Sequence, residues 1–545
     1  MGGSKQVGNA VPGDPRLFTT AERHRGRTLQ NPNRRLSVPR ALIVVGVLVM
    51  AIAPIIPLMV VGATANSDAT IWSRSFVEAL LSSLLLAASV AFLCLVVGFP
   101  LGLLAALYRF RLRAFLILIQ ALPLLLPSFL LAIGWSSLIS VSWLPRFLIP
   151  AGFWGTTLVL GMQSVPLVFF TTLAACRNLT ATQIDAARLH GGEPTVLRLS
   201  AQACCRPAVL AALLAGVLSL SDPGAALILG GRVVAIEILT SFSSLFDFGL
   251  AARQCLLLAG LVILLVLPLI VVGLRAFAVA VLARQTRAPA LYPHRGLGRL
   301  TVFALVAVLF VAIGIPAVGL CLPALNNPML GRAGQEIERT VGQTIVYSGE
   351  AALIAIFLST ALALAVRENA KWRLAVLGIL LALFTLPPAL GALGVVQTAT
   401  KGPPQLDWLT RSQFTVSLIL GLRFLPIATL AMMRAVGSLS TTWTDAAKLH
   451  GVSSTRFLWR VILPMLKPAL LASFVLVVVL ATADITTVLL LHPPGRMSLP
   501  VALFTVMANS PEGLIASLCL LYLGGVILLM AAAALFPNWM PGRTR

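Results

Sequence analysis

The sequence predicts an all-α integral membrane protein with twelve transmembrane helices arranged as a parallel 6+6 repeat. Three observations carry that prediction. Of 545 residues, 59% are hydrophobic and only 10% charged, with a mean hydropathy of +0.97, whereas a soluble domain has about one quarter charged residues. The apolar residues fall in runs of about 20 or more, each long enough to cross ~30 Å of hydrocarbon as a helix. A polar motif also recurs at constant spacing in the two halves. A soluble enzyme is excluded.

Residues 1–40 hold eight basic side chains with Pro, Gly and Asn and little hydrophobic periodicity, which predicts a disordered basic arm beside anionic headgroups. Six spans are expected near 41–63, 79–105, 114–137, 154–175, 207–230 and 256–282, making a first half over 41–282. A stretch with four Arg, two Pro and no acid, 283–299, reads as the linker. Six more spans are expected near 300–325, 345–366, 374–396, 414–433, 469–491 and 514–536, within a second half of 300–545.

The formal charge of +23 would suit nucleic acid in a soluble chain, but its distribution reports topology. With residues near a span end counted on the nearer side, the side of both termini holds 30 Lys/Arg against 6 Asp/Glu, and the opposite side 9 against 11, with Arg423 inside a span. Both termini are therefore expected in the cytoplasm, and no nucleic-acid partner is implied. The seven Cys are odd in number and lack CxxC spacing, so they read as packing residues. The five His offer no pair at metal spacing, and no metal site is expected. The first apolar run follows 40 polar residues and is long enough to remain as a span, so no cleaved leader is expected.

The internal repeat is read from polar residues. GMQSVPLVFF from Gly161 and IDAARLHGG from Ile184 recur as GLRFLPIATL from Gly421 and TDAAKLHGV from Thr444, all at an offset of 260. The offset then drifts: Pro207 pairs with Pro468, and Asp222 with Asp484. Both copies lie between the fourth and fifth spans of their half, so the duplication is parallel. In the second copy Thr442 or Thr444 is expected to cap a short helix with Asp445 in its first turn, favourable beside the helix dipole. Gly451 ends it, and a second helix starts near Ser454 and leads through Leu463-Pro464 into the eleventh span.

Asp-Ala-Ala-x-x-x-Gly, about ten residues, then Val-Ile-Leu-Pro resembles the "EAA" loop of binding-protein-dependent ABC importer permeases, and the likeness covers most of the chain outside the arm. It is similar in particular to the fused twelve-span permeases of the iron(III), thiamine and putrescine group. The resemblance implies a type I ABC importer permease fold in a bacterial inner membrane. It implies coupling hairpins at 182–200 and 442–460, each seated in one of two ATP-binding subunits, and a solute-binding protein outside, docking on loops that include 231–254 and 492–513. It further implies that Asp185 and Asp445 hold the loop and contact the ATPase, that Ala186, Ala187, Ala446 and Ala447 pack closely, and that Gly191 and Gly451 make the turn. The first copy departs: it lacks Leu-Pro and has Gly192 and Pro194 after Gly191, so the two contacts need not be equivalent. The chain carries no phosphate-loop motif; ATP and Mg²⁺ belong to the partner, and no cofactor is expected on this chain.

Four polar residues lie at membrane depth. At 1.5 Å per residue, Asp222 and Asp484 sit roughly 22–24 Å up their helices from Pro207 and Pro468, in the outer half. Asp222 precedes Pro223-Gly224, which should break the fifth span. Each Asp is read either as a pore or gate residue or as a cap on a helix break. Arg423 and its counterpart Gln163 lie within spans; Arg423 either pairs with Asp484, lines an anion path or snorkels. The importer is weighed against a twelve-helix secondary transporter driven by an ion gradient, whose long inner loop would lie between the halves, and against a membrane enzyme, for which no cluster of carboxylates or His is seen. Iron(III) is the first reading for the solute by resemblance alone, with thiamine, a polyamine or an organophosphonate as alternatives.

Overall fold

The computed structural model describes residues 37–64, 71–140, 151–282, 291–402, 404–410 and 412–535. Most of the arm and residues 283–290 of the linker lie outside them. Among the described residues ten helices are long and apolar enough to span a membrane, and counting each of two bent pairs as one span brings the number to twelve. In chain order they and the shorter helices between them are α1 (Val38–Ala63), α2 (Arg74–Leu107), α3 (Arg113–Leu125), α4 (Ser128–Ser137), α5 (Gly152–Cys176) and α6 (Ala181–Ser219). Then follow α7 (Gly224–Leu229), α8 (Val234–Ser243), α9 (Phe248–Leu282), α10 (Arg295–Asn326), α11 (Leu330–Ala365), α12 (Ala370–Thr385) and α13 (Pro388–Lys401). The last are α14 (Gln413–Ser438), α15 (Thr441–Leu449), α16 (Ser454–Ala483), α17 (Ile485–Leu491), α18 (Leu499–Asn509) and α19 (Glu512–Leu535).

The structure corrects several expected boundaries. Helix α1 starts at Val38, inside the expected arm, because Pro39 is well suited to a first helical turn. The linker ends early: His294 caps α10, its Nδ1 accepting from Leu297 N at 3.1 Å, so the helix begins at Arg295. The third and ninth spans are not straight. They bend by 90° between α3 and α4 and by 80° between α12 and α13. The bends fall at Leu126-Pro127 and Leu386-Pro387, 260 residues apart, where proline removes an amide donor and forces its predecessor into extended backbone, with ψ near 144° at Leu126 and 148° at Leu386. The fifth span stops at Ser219, and α16 stops at Ala483.

Packing rests on small residues, as expected where lipid leaves no hydrophobic drive between helices. Helix α2 lies so close to α5 that a Cβ on Gly98 would stand 2.9 Å from Val165 O, and one on Gly102 2.8 Å from Phe169 O. In the second half Gly421 of α14 meets Ala351 O of α11 in the same way, at 2.9 Å. The halves also exchange helices: α1 lies against α13, where Gly394 meets Pro54 O, and α10 lies against α4, where Gly319 meets Gly134 O.

Candidate functional site

Two places gather the polar residues picked out by sequence: a cavity between the halves, and a pair of hairpins on one face of the bundle. The cavity, of about 220 Å³, is lined by the two bends, the ends of α6 and α16, and side chains of α5 and α14. Gln163, Asp222, Arg423 and Asp484 all line it, so four residues proposed separately come together.

Each is held for a local reason. The bend at Pro127 frees the Leu126 carbonyl, and Gln163 Nε2 donates to it at 2.8 Å. Asp222 ends the fifth span and caps the break: its Oδ1 accepts from Gly224 N at 2.8 Å and from Ser128 Oγ at 2.8 Å. A Cβ on Gly224 would stand 2.5 Å from Ser128 Oγ, so glycine is what allows the bend of one span to reach the break of another. Asp484 does the corresponding work in the second half, its Oδ1 accepting from Thr487 N at 2.9 Å and its Oδ2 from Thr487 Oγ1 at 3.0 Å. Asp484 also pairs with Arg423, Nε to Oδ2 at 2.6 Å, with the carboxylate 5% and the guanidinium 22% exposed. Of the alternatives open for Arg423, the structure realises the ion pair. Gln163 and Arg423 thus occupy matching positions but do different work: one satisfies a carbonyl, the other a buried carboxylate.

The hairpins place Asp185, Ala186 and Ala187 on α6 and Asp445, Ala446 and Ala447 on α15. Two expectations need correction. The cap of α15 is Ser440, accepting from Thr442 N at 3.3 Å, so Asp445 lies mid-helix and not in the first turn. Ser440 takes the extended φ/ψ of a cap (−68°, 138°) before either threonine is reached. In the first hairpin Gly191 keeps a negative φ (−158°, ψ 22°), and the positive φ falls on Gly192 (67°, ψ −159°), because two adjacent glycines let the turn slip one place. In the second, Gly451 takes φ 65° as expected, with Val452 N closing on Ala447 O at 2.9 Å and Gly451 N on Lys448 O at 3.1 Å. The following helix starts at Ser454 as expected, and a π turn at Leu458–Ile462 precedes Leu463-Pro464. Both knuckles present an apolar tip: Leu189 is 89% and Leu449 88% exposed.

The sequence did not reveal what holds the first hairpin. Its buried Ile184, Ala187 and Val196 pack on Leu107 and Tyr108 at the end of α2. Glu193 accepts from Arg188 Nε at 2.8 Å and from Tyr108 Oη at 2.7 Å. Burial alone would raise the Glu193 carboxyl, but these two bonds outweigh it and hold it below its usual value. Tyr292 comes from the end of the linker, its backbone paired with that of Tyr108; its hydroxyl donates to Asp185 Oδ1, and its ring lies 3.5 Å under the Arg188 guanidinium. The bond to Asp185 raises the Tyr292 phenol above its ordinary range. The linker's basic composition drew attention to charge; its tyrosine, flanked by Leu291 and Pro293, was the signal available.

Residues 351–540 match the family model described as binding-protein-dependent transport system inner membrane component. The chain is 23% identical over 203 residues to the ferric transport system permease protein of Actinobacillus pleuropneumoniae, a match covering 37% of this chain and 28% of that protein. It is 26% identical over 203 residues to a protein of Salmonella choleraesuis named as a permease for 2-aminoethylphosphonate transport, covering 35% of this chain and 71% of that one. No solved structure matches the chain. The family model falls in the second half of the chain, and both relatives are named as permease proteins of transport systems.

Proposed function

We propose that the chain is the membrane pathway of an ATP-driven, binding-protein-dependent importer, passing a small solute through the cavity between its halves by alternating access. One observation carries the reading. Each hairpin with the Asp-Ala-Ala motif leads directly into the long helix, α6 or α16, that breaks at the cavity, at Asp222 and Asp484. A partner that grips the hairpins and closes on ATP would rotate those helices as rigid levers and re-form the cavity between them.

In this reading the hairpins face the cytoplasm, where two copies of a separate ATPase bind them, and both termini lie on that side. A solute-binding protein delivers its cargo to the opposite face, at 231–254 and 492–513. Asp222 and Asp484 with Gln163 and Arg423 form the gate. The cavity holds two carboxylates and one guanidinium, an excess of acid that suits a cationic solute. Iron(III), the cargo named for one relative, is the first candidate.

Gly451→Pro tests the reading. Proline cannot adopt φ 65° and has no amide to close on Lys448 O, so it breaks the knuckle while leaving every span unaltered. The expected result is full membrane insertion with loss of ATP-dependent uptake. Unchanged uptake, or uptake by the purified chain on an ion gradient without a nucleotide-hydrolysing partner, would overturn it.

A further inference from the structure

The two hairpins share a motif but not a setting. Five side chains fix the first: Ile184 and Val196 in its buried seam, Arg188 and Glu193 in its ion pair, and Tyr108 beneath them. At the offset of 260 these become Thr444, Arg456, Lys448, Ser453 and Glu368, none of which can repeat the contact its counterpart makes. The start of α15 is held through its backbone, Arg367 Nη2 donating to Leu439 O at 3.0 Å and to Ser440 O at 3.4 Å, but among the described residues the helix has no buried seam like that of Ile184 and Ala187, and Asp445, Lys448 and Leu449 are exposed. Glu368, in the place of Tyr108, pairs with Arg40 at 2.7 Å at the start of α1. Among the described residues no side chain engages the Asp445 carboxylate, whereas Asp185 is engaged by Tyr292.

We propose that Tyr292 is a positioning residue through which the linker between the halves ties the first hairpin down, so that a cytoplasmic partner meets one fixed post with its carboxylate already engaged and a second hairpin, held only at its start, whose Asp445 awaits a cationic side chain. The linker adds two backbone hydrogen bonds to the side-chain tie, Arg109 N to Tyr292 O at 2.9 Å and Tyr292 N to Leu107 O at 3.1 Å. Residue 292 is thereby registered on the end of α2 before its hydroxyl reaches Asp185. Docking at the first hairpin is left to the Leu189 tip and backbone. Docking at the second adds a charge-assisted contact and an ordering step. The tie itself stands without any functional reading; only the cationic partner rests on the importer proposal.

Hydrogen exchange on the full chain, purified in nanodiscs without any partner, tests the tie. Amides of 182–190 should exchange about tenfold more slowly than those of 442–450, after correction for intrinsic rates. Tyr292→Phe keeps the ring under Arg188 but removes the hydroxyl. It should speed exchange in 182–190 about threefold to tenfold, leaving 442–450 and the melting midpoint unchanged. Asp185→Asn, which still offers an oxygen to Tyr292, should perturb 182–190 less than Asp185→Ala. Equal protection of the two hairpins, or a Tyr292→Phe chain that exchanges like its parent, overturns the tie. For the partner, the yield of phosphate-loop ATPase co-purifying with the chain should fall at least about threefold further with Asp445→Asn than with Asp185→Asn, and equal losses overturn the unequal docking. Failure of the exchange test leaves the importer reading standing, and gradient-driven uptake would sink the importer reading without touching the exchange result.

Discussion

Replacing Arg423 with Gln should destabilise the bundle more than replacing its partner, and replacing both should restore most of the loss. Asp484 is 5% exposed and sits where α16 breaks. Removing one member of a buried pair costs about 3–5 kcal/mol, because the other charge is stranded in a low-dielectric setting. Two features reduce that figure here. Asp484 keeps the bonds from Thr487 N and Oγ1, and the guanidinium is 22% exposed to a cavity. A loss of about 2 kcal/mol for Arg423→Gln follows, near the lower end of the cost of an unpaired buried charge. Asp484→Asn strands the more exposed partner, which can turn toward the cavity, so about 1 kcal/mol is expected. The double variant strands neither member of the pair, giving a coupling of about 1–2 kcal/mol in a double-mutant cycle. Thermal inactivation half-lives of the full chain in nanodiscs, read as unfolding rates, provide the comparison. Additive losses in the double variant, or a larger loss from Asp484→Asn than from Arg423→Gln, would refute the reasoning.

Gly102→Val should cost about 1–3 kcal/mol, since its Cβ would stand 2.7 Å from Thr172 Cβ and 2.8 Å from Phe169 O, whereas Gly46→Ala meets nothing within 4 Å and should be neutral in the same inactivation assay. Ser440→Ala removes the cap of α15 and should weaken that helix by about 1 kcal/mol, seen as faster exchange confined to 441–449. Asp222→Asn keeps an oxygen for Gly224 N and Ser128 Oγ, so the chain should fold normally while uptake of a cationic solute drops about tenfold or more. The Glu193 carboxyl titrates below its ordinary 4.5, so its contribution to the first hairpin is fully present above that pH and is lost as pH falls through the lowered value. Exchange in 182–190, corrected for intrinsic rate, should therefore stay flat on acidification until below 4.5.

Polar residues at a fixed spacing were the most legible part of the sequence. Asp185, Gly191, Asp445 and Gly451 stood out because an apolar background rarely keeps such groups in step, and the break at Asp222 was readable from Pro223-Gly224. Direction was not legible. Leu122-Pro-Leu-Leu-Leu-Pro-Ser is as apolar bent as straight, so hydropathy counts one span where the chain turns by 90°. The break at Asp484 has no proline and depends on the carboxylate finding Thr487 and Arg423, a tertiary matter. The cap of α15 lay hidden among Ser438, Ser440, Thr441, Thr442 and Thr444, where only the backbone path into the turn selects one hydroxyl. Tyr292 was invisible because its partners lie 107 and 184 residues away, and nothing local marks a residue that acts by closing a long loop.

The two levers differ along their length as well as at their tips. From Gly192 to Ser219 and from Gly451 to Ala483 the chain is helical for nearly all of its course, at ~1.5 Å per residue roughly 40 and 48 Å. Helix α6 joins its hairpin at two adjacent glycines and is tied at that end by Glu193. Helix α16 instead carries a π turn at Leu458–Ile462, one turn above its hairpin, where the regular i to i−4 ladder is interrupted. A displacement applied at Leu189 therefore enters a helix already fixed to α2 and must move that body with it. The same displacement at Leu449 can first be absorbed at the π turn before it reaches Asp484. If the hairpins drive the cavity, the first should act as fulcrum and the second as the arm that travels. The ion pair of Arg423 with Asp484 then lies at the end of the travelling arm, where a rotation of α16 relative to α14 would open it, while the Asp222 cap on the fulcrum side stays closed.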